Sequence, residues 1–267
     1  MRGRPGSGAL LKGAAGARQN ARVESIEAIE RATLHGVPPG RLETWDTWLL
    51  ALDHGTVGRA HSAAPLVHAV PRADSLQELE RRYRAEGLKT VLRLPQVPAF
   101  DDLRAELAAR GYAQVKPTLV QTAPVESVAA RAAVHTEVAL AGTPGADWEQ
   151  VFLGEGFDPA DGASRLAILR RGTHSLFAGV RREGSTVAVG AACLSHGWCG
   201  IHAMRTLPAW RGRGFASAIV HALLEAARER GVARTFLQVE QANAPARSLY
   251  AGLGYETAWG CAYWQAA

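Results

Sequence analysis

The sequence predicts a mixed α/β fold of the α+β type, with two modules that each hold a mostly antiparallel sheet flanked by helices. Three observations predict it. Short β-type runs alternate with amphipathic helical runs, and the helical runs stop at glycine. The chain has 267 residues, 47% of them hydrophobic and 21% charged, enough to fill two cores. The second half also repeats the order of the first. Glu86-Gly87 ahead of Thr90-Val91-Leu92 returns as Arg230-Gly231 ahead of Thr235-Phe236-Leu237, and Gly111-Tyr112 returns as Gly254-Tyr255.

Apolar residues at helical spacing predict a helix over 23–34, ended by Gly36 and Pro38-Pro39. A strand is expected over 44–52, turned at Asp53-His54-Gly55, and a second over 57–70. Asp74-Ser75 has the chemistry of a helix cap for 76–85, and Gly87 stops that helix. A short strand at 90–94, a helix at 103–110 opened by Asp101-Asp102, and a strand at 112–121 complete the first half. Ala123-Pro124-Val125 marks the boundary between a domain over 21–125 and one over 126–267. The second half reads as a strand at 134–140, helices at 148–152 and 164–170, and a hairpin of 175–180 and 186–194 turned at Glu183-Gly184. A strand at 198–207, a helix at 216–230, a strand at 235–240, a helix at 245–253 and a strand at 255–264 follow. Residues 1–20 are Gly/Ala-rich, basic and free of acids, and are expected to form a disordered tail.

The chemistry concentrates where strand 198–207 meets helix 216–230, at Arg211-Gly212-Arg213-Gly214-Phe215-Ala216. Glycines at such a junction let backbone amides approach a ligand closely, and the helix start directs unpaired N–H groups and a positive dipole end at it. The two arginines add positive charge. That is an anion cradle. It lacks the Gly-Lys-Ser/Thr of a nucleotide P-loop and the third glycine and ribose-binding acid of a dinucleotide fold.

Composition narrows the rest. The net charge is +5, Lys occurs only at 12, 89 and 116, and no basic run interleaved with aromatics suggests nucleic acid. Three cysteines without a C-x-x-C pair suit neither a disulfide framework nor a metal site, and Cys193 and Cys199 read as small buried hydrophobes. No apolar stretch reaches the roughly 18 residues of a membrane span, so a cytoplasmic protein without membrane contact is expected.

A second motif lies at fixed distance beyond the cradle: Asn243-Ala244-Pro245-Ala246-Arg247-Ser248-Leu249-Tyr250, then Gly252-Leu253-Gly254-Tyr255. With Arg211 to Ala216 it resembles the core of the Gcn5-related N-acetyltransferase (GNAT) superfamily over about residues 175–264, while 20–125 resemble the degenerate first half of a tandem member. The degenerate half carries Val70-Pro71-Arg72-Ala73-Asp74 where the cradle would be, and Leu107 where the second half has Tyr250.

The resemblance implies acetyl-CoA as acyl donor, no metal, and a small-molecule or peptide amine as acceptor. It implies that the strand ending Met204-Arg205-Thr206 splays at a bulge and offers free backbone groups to the pantetheine arm. It assigns the diphosphate to the amides of Arg211, Gly212, Arg213, Gly214, Phe215 and Ala216, and the pantetheine channel to Asn243. Tyr250 becomes the acid that protonates the departing thiolate. On spacing alone Tyr250 suits an amphipathic core position equally well, and Asn243 is independently suited to cap the helix at 245–253. In ribosomal-protein-type members a glutamate stands where this chain has Gln238. Glu240, two residues on and on the same strand face, is the candidate base, with His202 the second candidate. Three alternatives stay open: an acyl-CoA-binding sensor without turnover, an enzyme resembling the tandem synthase that acetylates a cysteinyl pseudodisaccharide, and a protein N-terminal acetyltransferase.

Overall fold

A computed structural model of the chain describes residues 25–132, 136–154 and 158–266. The expected N-terminal tail and the first part of the strand expected at 134–140 lie outside the described residues. The first half contains helix α1 (25–36), strands β1 (Arg41–Trp45), β2 (Trp48–Leu52) and β3 (Ala63–Pro65), helix α2 (Ser75–Ala85), strand β4 (Val91–Pro95), helix α3 (Asp101–Ala109) and strand β5 (Tyr112–Pro124). The second half contains α4 (Val125–Arg131), β6 (Ala139–Ala141), α5 (Ala146–Leu153), α6 (Pro159–Arg171), β7 (Ser175–Arg182), β8 (Ser185–Ser195) and β9 (Trp198–Thr206). It ends with α7 (Phe215–Glu229), β10 (Arg234–Glu240), α8 (Ala244–Gly252) and β11 (Glu256–Ala266).

All these strands join one sheet of eleven, in the order β1-β2-β3-β4-β11-β5-β10-β9-β8-β7-β6. Every pairing is antiparallel except β3 with β4 and β9 with β10. The two halves interleave at the centre. β11 inserts between β4 and β5, and β5 lies between β11 and β10, so each half completes the other's sheet. The expectation of mostly antiparallel sheets with flanking helices therefore holds, with the strands of both halves fused into one surface.

The cores follow that exchange. On the first half Trp48, Leu79, Leu92, Phe100 and Leu107 pack with Trp264 of β11. On the second half Ile219, Leu223 and Leu224 of α7 pack with Leu237 and Tyr255 and with Ala123 of β5. Between them Ile26 and Ile29 of α1 cover Val120, Phe236, Trp259 and Cys261. Glu30 of α1 forms a fully buried two-pronged pair with Arg93 of β4, one hydrogen bond measuring 3.0 Å. Burying two charges is tolerable only with such mutual satisfaction.

Two local expectations need correction. The strand expected over 44–52 is a hairpin, because Asp46 takes a left-handed φ of 49° and turns the chain between β1 and β2. The strand expected over 57–70 contains only the short β3, preceded by a 3₁₀ turn at Gly58–His61. At Ala123-Pro124-Val125, where the domain boundary is expected, β5 passes directly into α4. The hairpin at Glu183-Gly184 forms as read, with φ of 52° and 80° at its two turn residues. Cys193, Cys199 and Cys261 are buried and unpaired with one another.

Candidate active site

Strand β9 begins as an ordinary interior strand, pairing in parallel with β10 from Trp198↔Arg234 to Ile201↔Leu237. Beyond that point the ladder stops. The register of β9 on its other neighbour slips at the same place: His202 faces Ala191 and Arg205 faces Val189, so two residues of β9 oppose the single Gly190. This is a β-bulge, and Ala203 inside it takes a left-handed φ of 53°. The bulge turns residues 202–206 away from β10, whose Gln238, Val239 and Glu240 pair only with β5. The side chain of Met204 occupies the space a Cβ at Gly190 would fill, and the Trp148 indole of α5 donates to the Gly190 carbonyl at 3.3 Å. Thus the one residue without a side chain opposite the bulge is what lets the bulge close.

The gap between the splayed strands opens into a cleft of about 1020 Å³. A 3₁₀ turn at Pro208–Trp210 carries the chain from β9 to the cradle. Gly212 and Gly214 both hold left-handed backbone (φ 74° and 78°), with open space where a Cβ would sit. Gly214 is the N-cap of the fifteen-residue α7, and no side chain caps that helix. Its first amides are therefore available to an anion. Arg211 and Arg213 are tethered to backbone carbonyls of Thr206 and Ala209, each at 3.3 Å, and the Arg213 guanidinium lies 4.6 Å from the centre of the Trp210 ring. The Phe215 side chain packs into the core beside Trp210, and the residue lines the cleft. Arg205 donates to the Phe152 carbonyl at 3.2 Å, which ties the bulge to α5.

On the opposite wall Asn243 caps α8, its Oδ1 accepting from the Ala246 amide at 3.2 Å. Helix α8 then delivers Tyr250 two turns later. Tyr250 is 7% exposed, its ring packs edge-on against Tyr255, and no described residue hydrogen-bonds its hydroxyl. Burial alone raises its pKa to about 12. Both readings of its spacing meet here, since the ring belongs to the core while the residue lines the cleft. Glu240 is exposed on the cleft wall, whereas the Gln238 amide is tied to Thr33 of α1 at 3.1 Å. Burial pushes the His202 pKa down to about 3, and neither ring nitrogen has a partner among the described residues.

Every residue singled out from the sequence therefore lines one cleft: Met204, Arg205 and Thr206, the six residues 211–216, Asn243, Glu240 and Tyr250. Sequence reading missed the far wall. Val37 beyond α1, Val57 and Arg59 from the first half, and Arg165, Ile168 and Leu169 of α6 also line it. No sequence signal marks them, because they reach the cleft only through the packing of the two halves. Among the described residues no cluster of His, Cys, Asp and Glu could hold a metal ion, and no helix is long and apolar enough to cross a membrane.

Comparison with known proteins places these features in context. Residues 24–264 match the family described as "Probable histone acetyltransferase Rv0428c C-terminal". A curated relative, the "Uncharacterized N-acetyltransferase YobR" of Bacillus subtilis (strain 168), is 26% identical over 240 residues, covering 87% of this chain and 95% of its own. A GCN5-related N-acetyltransferase from Kribbella flavida superposes with a TM-score of 0.64 at 18% identity over 90% of this chain and 95% of its own. A tandem GNAT protein from the clavulanic acid biosynthesis pathway superposes with a TM-score of 0.57 at 19% identity, covering 82% and 78%.

Proposed function

This chain belongs to the family described as "Probable histone acetyltransferase Rv0428c C-terminal", within the GNAT superfamily of N-acetyltransferases, and we propose that it moves the acetyl group of acetyl-CoA directly onto a primary amine. Enzymes of this superfamily use acetyl-CoA, and the residues present suit it. The observation that carries the reading is the placement of two unmet needs on one cleft: the uncapped N-terminus of α7 behind Gly212 and Gly214, and the hydroxyl of Tyr250, which no described residue hydrogen-bonds. The first suits the diphosphate, held by the amides of 211–216 with Arg211 and Arg213 beside them. The free edge of Met204, Arg205 and Thr206 suits the pantetheine amides as an added strand, with Asn243 on the facing wall.

Acetyl-CoA supplies an activated thioester carbonyl. The chain's own groups then handle orientation and protons. A neutral amine in the cleft forms the C–N bond as the C–S bond breaks. A backbone N–H of the splayed strand stabilises the oxyanion. Tyr250 gives its proton to the departing sulfur and regains one from solvent, while Glu240 takes the proton the amine must lose, directly or through water. His202 suits that task less, because its ring nitrogens are buried and burial opposes the charge it would take up, whereas Glu240 is exposed on the cleft wall. The first half is read as a degenerate copy of the second. β4, α3 and β5 hold the places that β10, α8 and β11 hold, and no glycine cradle precedes them. We place the protein in the cytoplasm, acting on a small-molecule or peptide amine.

Release of free thiol from acetyl-CoA across a panel of amines tests the reading. Amine-dependent release is the expected result. Tight acetyl-CoA binding without release for any amine would instead support a sensor, and absence of binding would end the proposal.

A further inference from the structure

The far wall of the cleft carries a charge that nothing in the described protein balances. Arg59 sits on the 3₁₀ turn at Gly58–His61, lines the cleft, and forms no ion pair or hydrogen bond with any described residue. The other arginines on the cleft are all engaged: Arg165 with Asp161 at 2.8 Å, Arg205 with the Phe152 carbonyl, and Arg211 and Arg213 with carbonyls near the cradle. The electrostatic neighbours of Arg59 are Tyr263, Arg93, Arg165 and His202, with no carboxylate among them. Enclosure lowers its pKa, the sign of a cation deprived of water. Beside it His202 presents two buried ring nitrogens without partners. A small pocket of about 10 Å³ lined by both residues has room for one water at most and not for a counter-ion. A guanidinium that lines an open cleft without a described partner is available to a ligand there, and the neighbouring His202 ring nitrogens, both buried, offer it none.

Resting on the acetyl-transfer reading above, we propose that Arg59 receives a carboxylate of the acceptor, so that the substrate is an amino carboxylic acid. The guanidinium fork matches a carboxylate with two parallel hydrogen bonds. One unbalanced guanidinium suits a monoanion, because neutral His202 adds no second positive charge to meet a phosphate. Beside Arg59 and the paired Arg165, that wall presents Val37, Val57, Ile168 and Leu169 to the carbon skeleton between amine and carboxylate. A lysine within a basic polypeptide tail would bring more positive charge to Arg59 and fits poorly.

The test compares leucine, 4-aminobutyrate and 6-aminohexanoate, each against its own carboxamide, as acceptors of the full-length enzyme. For the member whose length fits, the acid should exceed the amide by about 10- to 100-fold in kcat/KM, the range expected of a charge-assisted hydrogen bond. Arg59→Gln should bring the acid-to-amide ratio near one, and Arg59→Lys should retain part of the preference. The proposal is overturned if no acid is preferred over its amide, or if Arg59→Gln lowers both equally in a folded protein. Calorimetric binding of acetyl-CoA, run in parallel, separates the two levels. Turnover with no carboxylate preference removes only this inference. If acetyl-CoA neither binds nor turns over, the transfer reading fails. The carboxylate site is then judged by thermal shift, in which acids but not amides should stabilise the wild type, and equal effects would reject it.

Discussion

The hydroxyl of Tyr250 has no hydrogen bond to any described residue to lose, so its removal separates chemistry from folding. Tyr250→Phe keeps the ring against Tyr255 and should leave stability to denaturant within about 0.5 kcal/mol, since no partner is orphaned. Its kcat should fall by about 10²- to 10⁴-fold, the usual contribution of a positioned acid, while acetyl-CoA affinity is kept. A fall in stability with unchanged kcat would make Tyr250 a core tyrosine only. The raised pKa points the same way. Because burial disfavours the phenolate, Tyr250 holds its proton until the pH approaches 12, and the acid form is present throughout the working range. The places of Asn243 and Tyr250 on the cleft were legible in the sequence because both rest on local facts: an Asn-x-Pro helix start and a tyrosine two turns later. Arg59 was not legible, because its meaning lies in what fails to surround it.

At the scale of elements, the cradle depends on two left-handed glycines followed by an uncapped helix. Gly214→Glu places a side chain on left-handed backbone, which costs about 1–2 kcal/mol, and sets a carboxylate at the expected diphosphate position. Calorimetry should show acetyl-CoA affinity reduced at least about 100-fold, with far-UV dichroism unchanged. Retained affinity would remove the cradle from the site. The strand exchange makes a second claim at this scale. A fragment of residues 126–267 lacks β5, which separates β10 from β11, so both would expose unpaired edges. It should be insoluble or unfolded alone and recover dichroism when co-expressed with residues 21–125. Independent folding of the fragment would contradict the interleaved sheet. The helices and most strand positions were legible from period and glycine stops. The exchange was not, since a strand's neighbour is chosen by long-range packing that the spacing of Gly111-Tyr112 and Gly254-Tyr255 only suggests.

For the whole molecule, the neutral buried His202 links stability to pH. Its folded pKa of about 3 lies below the ordinary 6.5, so the unfolded chain binds the extra proton first. The stabilisation is complete above about pH 6.5 and is lost as pH falls toward 3, with a slope approaching 1.4 kcal/mol per pH unit. His202→Gln should flatten that acid limb in denaturant titrations, and an unchanged limb would assign it to other groups. The larger claim is that two halves, joined through one sheet, build a cleft whose cofactor side comes from the second half and whose acceptor side draws on the first. The measurement that bears on it most directly is a crystal structure with coenzyme A bound. The diphosphate should accept from the amides of residues 211–216, and the sulfur should lie within hydrogen-bond reach of the Tyr250 hydroxyl, with the far wall open toward Arg59. Coenzyme A bound elsewhere, or a sulfur remote from that hydroxyl, would contradict the account.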